Sequence, residues 1–250
     1  MLRTFLGNGI AGLCCFLLAW PVFSASDAPP PLVPEEAGSV VVLNIPQARI
    51  FLFQDGALWH SWPVGPGARK SPTPTGQWRI GEMRRNPTWY VPVSVQQEMA
   101  ARGLPVKTTV PPGPNNPLGP LFVRLGQTTI GIHGTNRPDS ISDWQSLGCV
   151  RMQDDDVLEL GAQLKVGDLV KVVYEPLVIQ EEGDEVYLSV FPDIYHRAQR
   201  QYSIERVQHL LDEKGIHLEV ADSEAALTAL SERSGEPILI GIRAEYIAID

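Results

Sequence analysis

Apolar and polar residues alternate in short runs over the first two thirds of the chain. Val40 to Ile45, Ile50 to Phe53, Leu58 to Val64, Gln77 to Ile80 and Thr88 to Val93 each have the length and the β-branched or aromatic content of a strand. Turn signals such as Asp55-Gly56 and Thr75-Gly76 separate them. Leu121 to Leu125 and Thr128 to Ile132, on either side of Gly126, predict a hairpin, with an irregular loop, Gly113 to Pro120, ahead of it. The period changes at Asp154 to Leu164. There Val157, Leu160 and Leu164 share one helical face, and acidic residues fill the first turn, where they complement the helix dipole. This is the first convincing helix, and Val166 to Tyr174 returns to strand. The pattern is that of a β meander or sandwich.

Past Pro176 helices and strands alternate. Val186 to Val190 reads as a strand, Ile204, Val207, Leu210 and Leu211 mark a helix that Gly215 ends, and Ile216 to Val220 is again a strand. Asp222 or Ser223 caps a second helix bearing Leu227 and Leu230, and Pro237 to Ile242 is strand-like, so a small α/β unit is predicted. At the other end, Arg3, the apolar run Ile10 to Phe23 and the small residues Ser24 and Ala25 have the form of a cleavable export signal. The run of about 14 residues is short of the roughly 20 that span a bilayer, so no stable membrane span is expected after cleavage. Four prolines without periodicity make residues 26–38 an extended linker. The predicted layout is a signal peptide at 1–25, the linker at 26–38, a β-rich domain at 39–176 and an acidic α/β extension at 177–250.

Composition sharpens this picture in three places. The 250 residues carry a net charge of -9, which argues against a general nucleic-acid binder. Residues 176–250 hold 15 acidic and 6 basic side chains, so the imbalance belongs to the extension, where a solvated, solubilising surface accounts for it. Thirteen of the 22 prolines fall between positions 60 and 140, as suits a turn-rich β domain.

Of three cysteines, Cys14 and Cys15 lie in the signal, which leaves Cys149 alone in the exported chain. It is a buried structural thiol, an intermolecular partner or a reactive nucleophile. Its setting, Ser146-Leu147-Gly148-Cys149-Val150-Arg151, places a glycine before the thiol, which lets a turn gather backbone N–H groups into an oxyanion hole. A thiol also needs a base, and His133, at the end of the strand Thr128 to Ile132 and followed by Gly134-Thr135, is the plausible partner. His60, His196, His209 and His217 lack a neighbouring cysteine or ligand-like spacing. Gly65 to Ser71 has a faint likeness to a phosphate loop, but Arg69 stands where a glycine belongs, so it reads as a strand-connecting turn. Neither HExxH nor CxxC occurs, and no metal or organic cofactor is expected.

Together these residues resemble the L,D-transpeptidase catalytic domain family of the YkuD type, envelope enzymes of the ErfK/YbiS kind. The resemblance runs from about Ser39 to Pro176. It is carried by Val41-Val42-Leu43-Asn44-Ile45-Pro46, the Thr73-Pro74-Thr75-Gly76 turn, the Asn116-Pro117-Leu118-Gly119 loop, Ile132-His133-Gly134-Thr135 and the cysteine motif 16 residues after His133. It implies a mainly β fold, a β-sandwich catalytic domain with a short helix after the nucleophile, to which the C-terminal α/β appendage is added. It also implies His133 as general base, Cys149 as nucleophile, the amides of Leu147, Gly148 and Cys149 as oxyanion donors, and the Gly134 carbonyl as the group orienting the imidazole. Ser146 joins the oxyanion and substrate-binding turn. Arg151 matches a position that is Arg or Asn in the family and reads either as a substrate-carboxylate or loop-fixing residue or as a structural salt bridge. The family usually has Ser-His-Gly-Cys, whereas Leu147 stands here in place of that histidine.

The function implied is acyl transfer on peptidoglycan stem peptides in the periplasm or cell envelope, through a thioester on Cys149. The acceptor is a second stem, an envelope lipoprotein, a free D-amino acid or water, the last giving an L,D-carboxypeptidase. The rival reading is a non-catalytic wall- or partner-binding protein in which Leu147 marks a decayed site.

Overall fold

The computed structural model describes residues 29–244. The predicted signal peptide, with Cys14 and Cys15, lies outside the described residues. Strands β1 (Ser39–Asn44), β2 (Arg49–Gln54) and β3 (Ala57–Pro63) form a meander, and β4 (Gly76–Arg85) follows. A short strand β5 (Trp89–Tyr90), helix α1 (Val93–Ala101) and strand β6 (Thr109–Val110) make a separate flap. Then come β7 (Leu121–Leu125), β8 (Gly131–His133), β9 (Val150–Arg151), α2 (Asp154–Ala162) and β10 (Leu169–Val173). The C-terminal part comprises β11 (Leu177–Glu182), β12 (Glu185–Val190), α3 (Ile204–Glu213), β13 (Leu218–Ala221), α4 (Ser223–Glu232) and β14 (Pro237–Arg243).

Eight strands join in the order β3-β2-β1-β10-β4-β7-β8-β9. Period-two alternation decides which side chains face inward. Val41 and Leu43 of β1, Ile50 and Leu52 of β2, Leu121 and Val123 of β7, Ile132 of β8 and Val150 of β9 are wholly or almost wholly buried in one shared core. Strands from both ends of the sheet thus close over the same apolar interior as a sandwich. Strand β4 pairs with β10 on one side and β7 on the other, and its register shifts between Ile80 and Glu82. Gly81 sits at that break, where a Cβ would collide with the Gly126 carbonyl, so only glycine permits the two halves of the sheet to approach there. Val157 and Leu160 of α2 seal the same core, as the helical spacing required.

Thr88 to Val93 departs from its strand expectation. Only Trp89 and Tyr90 pair, with Val110 and Thr109, and Val93 begins helix α1. That helix buries no residue and has no side-chain cap, so neither an apolar stripe nor a capping residue betrayed it, and β-branched Val93 and Val95 pointed the other way. Helix α2 is consequently the second helix, not the first. In residues 29–38, Leu32 packs beside Val40, Val42, Phe51 and Phe53, and Glu36 pairs with Lys171 at 2.7 Å.

Strands β11, β12, β14 and β13 form a second, antiparallel sheet covered by α3 and α4, with a core of its own that includes Val186, Leu188, Val207, Leu211, Leu230 and Ile240. Ser203 caps α3 by accepting from the Arg206 amide, and Asp222 caps α4 by accepting from Ala225. Between β12 and α3 runs an irregular strap. Its Tyr195 is buried in the core of the first sheet, stacked on Tyr174 at 5.4 Å.

Candidate active site

Strands β8 and β9 are parallel neighbours, with Ile132 opposite Val150 and His133 opposite Arg151. Because Ile132 and Val150 fill the core, the alternation turns His133 to the other face. There it lines a cavity of about 850 Å³, and Cys149, one residue before β9, lines the same cavity. The opposite wall comes from the flap (Trp89, Tyr90, Pro92) and from Pro117 and Leu118. Asn116 ties these together. Buried at 1% exposure, its Nδ2 donates to the carbonyls of Pro87, Val110 and Pro111, and its Oδ1 accepts from the Leu118 amide.

His133 Nδ1 lies 2.6 Å from the Gly134 carbonyl. A carbonyl only accepts, so Nδ1 carries the proton. Burial strips water from the imidazolium and lowers the His133 pKa to about 4, the charge of Arg151 acts in the same direction, and the Gly134 and Pro117 carbonyls oppose it. The resting ring is therefore neutral, with Nε2 as its free lone pair. Phe122 stacks on the ring at 6.3 Å.

The Cys149 thiol lies 3.7 Å from the Thr129 carbonyl, and burial pushes its pKa up from the ordinary thiol value. Burial thus favours the neutral thiol and the neutral imidazole alike. The turn before the thiol is tightly tied. Ser146 Oγ accepts from the Gly148 amide and donates to the Cys149 carbonyl, which occupies the Gly148 N–H. The amides of Leu147 and Cys149 meet no acceptor among the described residues. Gly148 has φ +105, which disfavours any residue with a Cβ. Leu147 projects its side chain into the open, 49% exposed.

Arg151 lines the same cavity and is anchored at its rim. Its Nη1 donates to Ser140 Oγ at 2.7 Å and its Nη2 to the Asp143 carbonyl at 2.8 Å, which braces the loop on the cavity rim. Its backbone exchanges two hydrogen bonds with Gly65. The Gly65 to Ser71 segment is thus a turn that covers the free edge of β9. Among the described residues no three His, Cys, Asp or Glu side chains converge as a metal site would require.

The geometry unites Cys149, His133, Gly134, Ser146, Leu147 and Gly148 at one place, and Arg151 lines the same cavity with its guanidinium engaged by Ser140 and Asp143. The sequence model of the YkuD L,D-transpeptidase catalytic domain matches residues 38–172. The chain belongs to the L,D-transpeptidase catalytic domain family. It is 27% identical over 215 residues to the probable L,D-transpeptidase ErfK/SrfK of Escherichia coli, a match covering 84% of this chain and 69% of that protein. It is 30% identical over 156 residues to the probable L,D-transpeptidase YcfS of Escherichia coli, covering 60% of this chain and 49% of that protein. The match to YcfS thus spans about half of that relative's length. Among solved structures, an L,D-transpeptidase from Mycobacterium smegmatis is similar at 21% identity and a TM-score of 0.42, over 55% of this chain and 59% of that one.

Sequence reasoning did not assign roles to Asn116 or Thr73, although both lie in motifs that it singled out. Tyr195 carried no signal at all.

Proposed function

We propose that the protein is an exported, cysteine-dependent L,D-transpeptidase acting on peptidoglycan stem peptides. The observation that carries this reading is the convergence, on one cavity, of a thiol, a neutral imidazole whose tautomer is fixed by Gly134, and two unengaged amides beside the thiol.

The chemistry follows from that arrangement. His133 Nε2 takes the Cys149 proton as sulfur attacks the carbonyl joining the L-centre of a diamino acid to a terminal D-residue. The amides of Leu147 and Cys149 receive the negative charge that develops on the carbonyl oxygen. As the tetrahedral centre collapses, the C–N bond breaks, His133 returns the proton to the departing amine, and a thioester remains on Cys149. An acceptor amine then gives its proton to His133, attacks the thioester and releases the thiol. A stem diamino acid as acceptor gives a crosslink, an envelope lipoprotein gives anchoring, and water gives carboxypeptidase activity. Leu147 fits this scheme because its contribution is an N–H, which any residue but proline supplies. No helix among the described residues is long and apolar enough to cross a membrane.

The test is incubation with tetrapeptide-stem muropeptides, with products read by mass spectrometry. Loss of the terminal D-residue with crosslinked or exchanged product, abolished by Cys149→Ala, is the expected result. Intact muropeptides, together with no carbapenem adduct at Cys149, would leave the non-catalytic binding reading in its place.

A further inference from the structure

The hydrogen bonds behind the cysteine turn lead into the C-terminal strap. Thr73, fully buried, donates from Oγ1 to the Gly148 carbonyl at 3.0 Å and accepts at the same oxygen from the Gly67 amide at 2.8 Å. The Thr73 amide in turn donates to Tyr195 Oη at 3.1 Å, and that hydroxyl donates to the Gly67 carbonyl at 2.7 Å. Tyr195 is itself fixed. Its amide donates to Tyr174 Oη at 2.8 Å, and Tyr174 donates to Asp193 at 2.7 Å. Asp193 also accepts the amides of Arg197 and Ala198, and the Arg197 guanidinium lies over the Tyr195 ring.

The Gly148 carbonyl belongs to the same planar peptide as the Cys149 amide. In a trans peptide the C=O and N–H point in opposite directions, and no cis bond occurs among the described residues. Holding the carbonyl down onto Thr73 therefore aims the Cys149 N–H the other way. Glycine at position 148 makes this peptide easy to turn, since its left-handed φ is one of several conformations open to it. Gly67 packs against the same spot from behind, where a Cβ would approach the Gly148 Cα to 2.9 Å.

We infer that Tyr195 and Thr73 are positioning residues for the Cys149 amide, so that a side chain of the C-terminal strap, outside the matched family segment, sets the aim of an oxyanion donor. This rests on the cysteine chemistry proposed above. Neither residue touches substrate. Both act through the peptide plane that precedes the nucleophile.

Two reactions of the same thiol separate aim from structure. Acylation by a carbapenem develops an oxyanion, whereas alkylation by iodoacetamide displaces iodide at carbon and develops none. In the full chain, Thr73→Val should slow carbapenem acylation by about 10- to 100-fold, somewhat less than the roughly 10²- to 10³-fold seen on removing an oxyanion donor outright. Iodoacetamide alkylation should stay within about twofold, since it draws on no oxyanion donor. Thr73→Ser, which keeps the hydroxyl, should restore acylation. Tyr195→Phe, which keeps the ring and its stacking, should slow acylation by about 10-fold with alkylation again unchanged. The inference is overturned if both variants acylate at the wild-type rate, or if acylation and alkylation fall together. A wild-type chain that forms no carbapenem adduct at Cys149 would remove the cysteine chemistry itself, and this role with it.

Discussion

Gly119 and Gly134 meet backbone to backbone: a Cβ added to Gly119 would stand 2.6 Å from the Gly134 Cα, and one added to Gly134 would stand 3.0 Å from the Gly119 Cα. This contact seats the Asn116 to Gly119 loop against the peptide whose carbonyl holds His133. Asp154 closes the same corner by accepting from the Thr135 amide at 2.8 Å. A methyl at position 134 would collide with Asp154 Oδ1 and with Pro120. Gly134→Ala is therefore expected to destabilise the fold by roughly 1–3 kcal/mol, the usual cost of overpacking. It should also slow acylation of Cys149, measured with a carbapenem, by about 10-fold or more through displacement of the Gly134 carbonyl.

The neutral resting pair has a signature in pH. With the thiol pushed above its ordinary value, the iodoacetamide alkylation rate of Cys149 should climb continuously through pH 9.0 and beyond. A plateau reached near neutral pH would reveal a thiolate and imidazolium at rest and would contradict the direction in which burial shifts both groups.

Stability carries a related dependence. In the unfolded chain His133 takes up a proton near pH 6.5, whereas in the folded protein burial delays this to about pH 4. Because the unfolded state binds more protons across that window, stability falls as pH drops from 6.5 towards 4 and this contribution is constant below. The full effect is up to roughly 3 kcal/mol. Comparing chemical denaturation of the wild type and His133→Asn at pH 7.5 and pH 4.5 (about one unit outside the window and within it) isolates the contribution. The gap between the two proteins should shift in the variant's favour at the lower pH.

Arg151 is expected to act through the loop that it braces. Arg151→Ala removes partners from the buried Ser140 Oγ and from the half-buried Asp143 carbonyl, and should cost about 1–3 kcal/mol in stability. Arg151→Lys should recover little, since one ammonium cannot reproduce the two-pronged donation. Were Arg151 a substrate-carboxylate ligand instead, amidating the stem carboxylates would raise KM for the wild type and leave the Arg151→Lys enzyme unchanged. The engagement of its guanidinium by Ser140 and Asp143 predicts the same KM response in both.

Leu147 allows a test of backbone against side chain. Since the N–H persists whatever the side chain, Leu147→Ala should keep kcat within about threefold and change mainly KM, as expected for removal of uniform binding. A loss of kcat of about 100-fold would show that the side chain itself takes part in the transition state.

The strand pattern and the cysteine site were legible in the sequence for the same reason: both are local. Val40 to Ile45 and Ile50 to Phe53 are short apolar runs buried on both faces, and Gly148-Cys149 carries its turn chemistry in adjacent residues. The spacing of Val157 and Leu160 likewise announced a helix because their burial forms its face. What escaped depended on contacts remote in sequence. Helix α1 buries nothing, so no periodic stripe recorded it. Asn116 and Thr73 were visible as parts of motifs, but their work is done by single side-chain atoms bonding to carbonyls that no motif names. Tyr195 sits in an irregular strap with no periodicity, and its two hydroxyl bonds reach residues more than a hundred positions earlier.

The strap has a consequence for how the protein divides. The family segment ends at residue 172, yet the interior of that segment is completed by an aromatic ring supplied from beyond it. An excised fragment stopping at the family boundary would begin life with a Tyr-sized hole beneath its nucleophile turn and two orphaned polar groups, the Gly67 carbonyl and the Thr73 amide. The strap therefore belongs to the packing of the first sheet, whose core keeps its floor only where the phenol at position 195 is present.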